Sequence, residues 1–127
     1  MTEKTIVRTD RAPAAIGPYS QGVRVGNLFF FSGVIPLDPD TGALVGADAA
    51  EQTAQVLKNI RALLASQGIS PQNVVKTTVF LTDIAAFGAV NDVYASLFDS
   101  EPPARSCVEV SALPKGALVE IECVAAM

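Results

Sequence analysis

The sequence predicts an α+β fold in which one mixed β-sheet carries two helices on one of its faces. Two observations predict it. Runs of β-type residues and stretches of helical periodicity follow one another in the order βββαβαββ. The 127 residues contain no linker, repeat or low-complexity tract, which fits a single domain over residues 1–127.

The elements follow from local chemistry. "KTIVRT" reads as a short first strand, and "APAAIGPYSQG" as an ordered loop entering the second. Two β-type runs in "YSQGVRVGNLFFFSGVI" flank Gly26-Asn27, a pair that predicts a tight hairpin because glycine accepts a positive φ at the first turn position. After the turn-rich "PLDPDTGALVG", a helix is predicted over Ala49–Gln67. Asp48 caps it, Glu51 completes a capping box three residues later, and Gly68 ends it. Ala50, Thr53, Leu57, Ile60 and Leu64 form its apolar stripe, widened by Val56 and Leu63.

Ser70-Pro71 opens a short turn, and "NVVKTTVFLTD" is β-branched and extended. Alternation places Val75, Thr77, Val79 and Leu81 on one face of that strand. A second helix is predicted over Ile84–Asp99, with Phe87, Val90, Tyr94 and Leu97 on one stripe and "EPPA" as its breaker. "RSCVEVS" and "ALVEIECVAA" then form a terminal hairpin joined by "ALPKG".

Composition narrows the function classes. Half of the residues are hydrophobic and only 17% are charged, and the mean hydropathy is +0.36. So small a monomer cannot hide that much apolar area, so apolar surface is expected between subunits. The net charge is −4, the nine Lys and Arg are scattered, and there is no Trp, which argues against a nucleic-acid interface. No apolar run reaches the roughly 18 residues that span a bilayer. The opening "MTEKTIVRTD" lacks an apolar signal core, so a cytosolic location is expected. Cys107 and Cys123 match no zinc spacing, no His is present to complete one, and both are read as reduced thiols. No metal or cofactor is expected.

Candidate chemistry concentrates in "PPARSCVEV", Pro102–Val110. Alternation sends Arg105, Cys107 and Glu109 to one face and Ser106 to the other. The Arg105 guanidinium can grip a carboxylate bidentately, or pair within the chain with Glu120 or Glu122, two carboxylates in an otherwise apolar strand. Glu120 is a candidate general base or water-positioning group, or else half of that ion pair. Cys107 is a possible nucleophile that Arg105 could help ionise, or a packing residue. Ser106 lacks a histidine base and reads as a strand hydroxyl bonded to backbone. Tyr19 and Ser32 lie at strand ends beside glycine, where backbone can approach a ligand closely. From the residues alone, the result is an anion-binding pocket with an Arg, a Glu and small polar groups, and no named reaction.

"APAAIGPYSQGV", "FFFSGVIPLDPDTG", "VVKTTVFLTDIAAFGAVNDVYASLF" and "PPARSCVEVSALPKGALVEIE" together resemble the reactive intermediate deaminase family, RidA or YjgF, in order and over nearly the whole chain. The resemblance implies a chorismate-mutase-like α+β fold and a homotrimer with pockets at the subunit interfaces. It also implies hydrolysis of enamine/imine intermediates such as 2-aminoacrylate and 2-iminobutyrate to 2-keto acids and ammonia, which protects pyridoxal-phosphate enzymes from damage. By position, Arg105 would bind the substrate carboxylate, Glu120 would position or activate water, and Cys107 would line the pocket. Tyr19, Ser32, Gly33 and Asn91 would be lining residues. Two departures bear on substrate size: Val34 stands where members often carry Gln, and the "DSEPPA" loop before Arg105 is shorter than in many members. The rival readings are a ribonuclease or translation inhibitor, and a non-catalytic binder or sensor of small carboxylates.

Overall fold

A computed structural model describes residues 3–127. Six strands, β1 (Lys4–Val7), β2 (Gly22–Val25), β3 (Leu28–Val34), β4 (Val74–Leu81), β5 (Ala104–Glu109) and β6 (Val119–Ala126), form one sheet of order β1-β2-β3-β6-β4-β5. Only β4 and β5 run parallel; the other neighbours are antiparallel. Helices α1 (Ala49–Ser66) and α2 (Phe87–Tyr94) occupy the β3-to-β4 and β4-to-β5 connections. This is the mixed sheet with two helices that the sequence predicts.

Gly26 takes φ 60° in the β2–β3 hairpin, the conformation that an L side chain resists. Helix α1 begins where Asp48 accepts the Glu51 amide at 2.8 Å. The Glu51 carboxylate reaches back past the predicted partner to accept from the Ala47 amide, at 2.8 Å. At the far end Gly68 sits at φ 71°, and the Gly68 and Ile69 amides donate to Ala65 and Leu64 at 3.0 and 3.1 Å, closing the last turn. Val56, Leu57, Ile60, Leu63 and Leu64 pack on Phe29, Phe31, Val79, Ile121 and Cys123 of the sheet. Two buried amides in α1, unnoticed in the sequence, anchor the surrounding loops. Asn59 donates to the Leu37 carbonyl at 2.9 Å, and Gln52 accepts from the Leu118 amide at 2.8 Å, which fixes the entry to β6.

The structure corrects three sequence expectations. β5 and β6 do not form a hairpin. β6 inserts between β3 and β4, while β5 becomes the edge strand beside β4. The pairing partners of β6 are distant in sequence, and local pattern cannot rank them against a neighbouring strand. The second helix is a 3-10 turn at Ile84–Ala86 followed by only eight α-helical residues, ending at Tyr94. Val75 faces solvent and Val74 the core, because the β4–β6 register shifts between Val74 and Lys76 and the bulge reverses the alternation there.

The helices cover the face bearing Phe29, Phe31, Thr77, Val79 and Ile121. The opposite face remains apolar: Ile6, Leu28, Phe30 and Val108 are each 41–46% exposed there, which leaves a broad unpaired surface.

Candidate functional site

The sequence-predicted site residues fall into two clusters. The first is built on β5 and α2. Arg105 lies opposite Thr77 of β4, on the helix-covered face. Its Nη1 donates to Asn91 Oδ1 at 2.6 Å. Its guanidinium carbon lies 4.8 Å from the ring centre of Tyr94 and 5.3 Å from that of Phe87. Phe87, Asn91 and Tyr94 are spaced by four and three residues, so one stripe of α2 presents all three to the guanidinium. Two further contacts hold that helix in place. Glu109 of β5 accepts the Ile84 amide at 2.8 Å, and Thr77 Oγ1 and Tyr94 Oη lie 2.7 Å apart. A planar cation clamped by one amide and two aromatic faces keeps its remaining N–H donors for an anion.

Cys107, opposite Val79, shares this face and is partly buried. Burial pushes its thiol up from the ordinary value, outweighing the nearby Arg105 charge, which lowers it. The thiolate reading is thereby disfavoured near neutral pH. Cys123 is buried, and its thiol is pushed up to about 12, chiefly by burial and then by Glu122. Neither cysteine is in a disulfide.

The second cluster is built on β3, the loop before β2, and β6. Ser32 Oγ donates to the Ser20 carbonyl at 2.6 Å, and the Ser32 amide to the Gln21 carbonyl at 3.0 Å, tying β3 to the segment that carries Tyr19. Gln21 extends the brace: its Nε2 donates to the Thr9 and Pro13 carbonyls at 2.9 and 2.8 Å, and its Oε1 accepts the Thr9 amide at 2.7 Å. Tyr19, Ser32 and Gly33 border a cavity of about 210 Å³, closed also by Leu37, Pro114 and Lys115. The β3–β6 register shifts between Phe31 and Val34, and Glu120 approaches Gly33 so closely that any Cβ there would overlap its carboxylate. Burial first, and the Glu122 charge second, raise the Glu120 carboxyl above its ordinary value.

The two clusters do not meet within one chain. Glu120 and Glu122 project from the sheet face opposite to Arg105, so the ion pair considered from the sequence does not form. Arg105 is paired with Asn91 instead. Phe87 and Tyr94, placed by the sequence on one stripe of the helix, back the guanidinium, and Tyr94 is also buried in the core. Their spacing with Asn91 was the available signal, but a stripe of this kind also fits ordinary packing.

The family model described as endoribonuclease L-PSP matches residues 9–127. The chain belongs to the reactive intermediate deaminase family. It is 46% identical over 122 residues to the mouse 2-iminobutanoate/2-iminopropanoate deaminase, covering 96% of this chain and 90% of the mouse protein. It is 48% identical over 125 residues to Reactive Intermediate Deaminase A, chloroplastic, of Arabidopsis thaliana, covering 98% of this chain and 67% of that protein. Among solved structures, a Rid-family protein of unknown function from Yersinia pestis superposes with a TM-score of 0.95 at 52% identity, covering 98% of this chain and all of that one (100%). E. coli TdcF with bound serine superposes with a TM-score of 0.92 at 44% identity, covering 97% of this chain and 98% of the other. The RidA fold is thus that of this chain. No helix among the described residues is long and apolar enough to cross a membrane.

Proposed function

We propose that the protein hydrolyses small enamine/imine carboxylates, 2-aminoacrylate and 2-iminobutyrate, to 2-keto acids and ammonia. It would do so in a closed assembly of copies, a homotrimer, that brings the Arg105 cluster of one copy against the Glu120 cluster of the next. The clamped but carboxylate-free guanidinium of Arg105 is the observation that carries this reading. The exposed apolar sheet face supplies surface for the assembly, and the names of the mouse and Arabidopsis relatives support the reaction class.

The chemistry needs little machinery. Arg105 grips the substrate carboxylate. Glu120, in a half-buried site against Gly33, orients a water toward C2 and takes its proton as the C–O bond forms. The imine nitrogen gains protons, the C–N bond of the carbinolamine breaks, and ammonia leaves a 2-keto acid. No histidine is required, because an imine carbon is already electrophilic. Much of the acceleration would come from orientation. Cys107 walls the site as a thiol.

The test is an assay in which a serine or threonine dehydratase generates the imine with and without this protein, following imine loss and keto-acid appearance. Faster hydrolysis is expected. Its loss by about ten- to a hundredfold in Arg105→Ala corresponds to a charge-assisted hydrogen bond. No acceleration on either substrate by a properly assembled protein would overturn the reading. The family model's description favours RNA cleavage. The net charge of −4 opposes it, since a phosphate backbone is bound by concentrated cations.

A further inference from the structure

Lys115 has no part in the reaction outlined above, yet two independent features single it out. The cavity beside Tyr19, Ser32 and Gly33 is walled by apolar side chains and by the neutral polar side chains of Tyr19, Gln21 and Ser32, and Lys115 is its one charged lining residue among those described. Glu120 lies against Gly33 but is not among the cavity's lining residues, which among those described include no carboxylate. That is unexpected in a chain of net charge −4. Moreover, Lys115 is held in the left-handed region, at φ 58° and ψ 22°, where a side chain is strained and glycine or asparagine is the usual occupant. Glycine is available one position later, at Gly116, so the strain at 115 accompanies a side chain and not a gap in the turn. The root of that side chain is well fixed. Pro114 precedes it, the Ala117 amide donates to the Pro114 carbonyl at 3.2 Å, and Gln52 holds the Leu118 amide immediately beyond. An observed backbone outlier at a cavity rim is a physical pointer to function.

We propose that Lys115 is a specificity-determining residue whose ammonium, carried at the rim of the Tyr19–Ser32–Gly33 cavity, selects small anionic substrates over neutral ones and speeds their entry. Arg105 would grip the bound carboxylate, while Lys115 sets the field through which it arrives. A single exposed cation acts mainly on encounter, so its effect lies in kcat/KM and fades with salt. The reaction used as a readout rests on the deaminase reading; anion selection does not.

The experiment compares wild type with Lys115→Gly, Lys115→Arg and Lys115→Glu. Lys115→Gly is the informative variant, because glycine relieves the backbone while removing the charge. Two readouts are taken across ionic strength: kcat/KM for 2-iminobutyrate, and calorimetric affinity for 2-oxobutanoate against its neutral amide. Lys115→Gly should lower kcat/KM about three- to tenfold at low salt with kcat little changed, and the gap should close toward about 0.5 M salt. Its thermal midpoint should not fall with it. Lys115→Glu should lose more, and Lys115→Arg should rescue. The neutral amide should bind all four proteins alike. Wild-type kcat/KM and affinity in Lys115→Gly at low salt, or an equal loss for the amide, would overturn the proposal. If wild type does not accelerate imine hydrolysis, the deaminase reading fails and the 2-oxobutanoate affinities decide Lys115 alone. No affinity in wild type would overturn both.

Discussion

Arg105 and Glu120 lie on opposite faces of the same sheet. Arg105 on β5 is level with Thr77 and Glu120 on β6 is level with Phe80, with β4 between them. Two strand spacings and three register positions put their Cα atoms about 14 Å apart, with side chains directed away from each other. One substrate cannot bridge that within one chain, yet copies related head to tail could join the two clusters.

This geometry makes a mixing experiment decisive. Arg105→Ala and Glu120→Gln should each retain no more than about a tenth of wild-type activity alone. Co-assembled after unfolding and refolding together, they should recover up to about a quarter of wild-type activity, because random mixing in a closed ring places an intact arginine against an intact glutamate at that frequency. A mixture as inactive as its components would show that the two residues do not share a site across copies.

Gly33→Ala should fold and lose activity. The atoms that a Cβ would meet belong to the Glu120 carboxylate, the free end of a side chain that can swing aside. The fold should survive with a small drop in melting temperature, while Glu120 leaves its position. Misplacement by about 1 Å can cost on the order of a hundredfold in kcat, which the dehydratase-coupled assay would measure. Undiminished turnover in the alanine variant would remove Glu120 from the reaction.

Which of these relationships were legible in sequence follows from how local their causes are. The start and stop of α1 rest on Asp48, Glu51 and Gly68 within a few residues of each helix end, and the β2–β3 turn rests on Gly26. All of them could be read directly. The position of β6 between β3 and β4 depends on pairings some forty and ninety residues apart, for which the sequence offers alternation but no partner. The bulge at Val75 flips one residue for a reason that lies in β6. The Arg105 alternation was readable, but its partner was not, because Asn91 and Glu120 are equally plausible until the strand order is known. Gln21, Gln52 and Asn59 look like surface amides in sequence and are buried because loops fold over them.

The cysteines should differ in reactivity without affecting turnover. Cys107 is partly exposed and Cys123 buried, with a thiol pushed up to about 12. A maleimide should label Cys107 slowly and Cys123 only on unfolding, as mass spectrometry would show. Cys107→Ser should keep activity within a fewfold of wild type, since burial holds the thiol protonated despite Arg105. An inactive but correctly assembled Cys107→Ser would restore the nucleophile reading.

Glu120 should impose two opposite pH dependences. Its carboxyl is raised above the ordinary glutamate value of 4.5 in the folded chain, mainly by burial. The folded state therefore holds this proton more tightly than the unfolded state. Stability from this group is complete below the unfolded value and is lost as pH rises through the folded one. Glu120→Gln, which cannot ionise, should melt higher than wild type at neutral pH, and the difference should vanish in acid. Catalysis runs the other way: a water-activating carboxylate must be ionised, so kcat should fall on the acid side with a midpoint above 4.5. That acid limb should be absent from whatever activity Glu120→Gln retains. A variant that melts no higher than wild type at neutral pH and keeps the full acid limb would assign the titration to another group and leave Glu120 as a structural carboxylate.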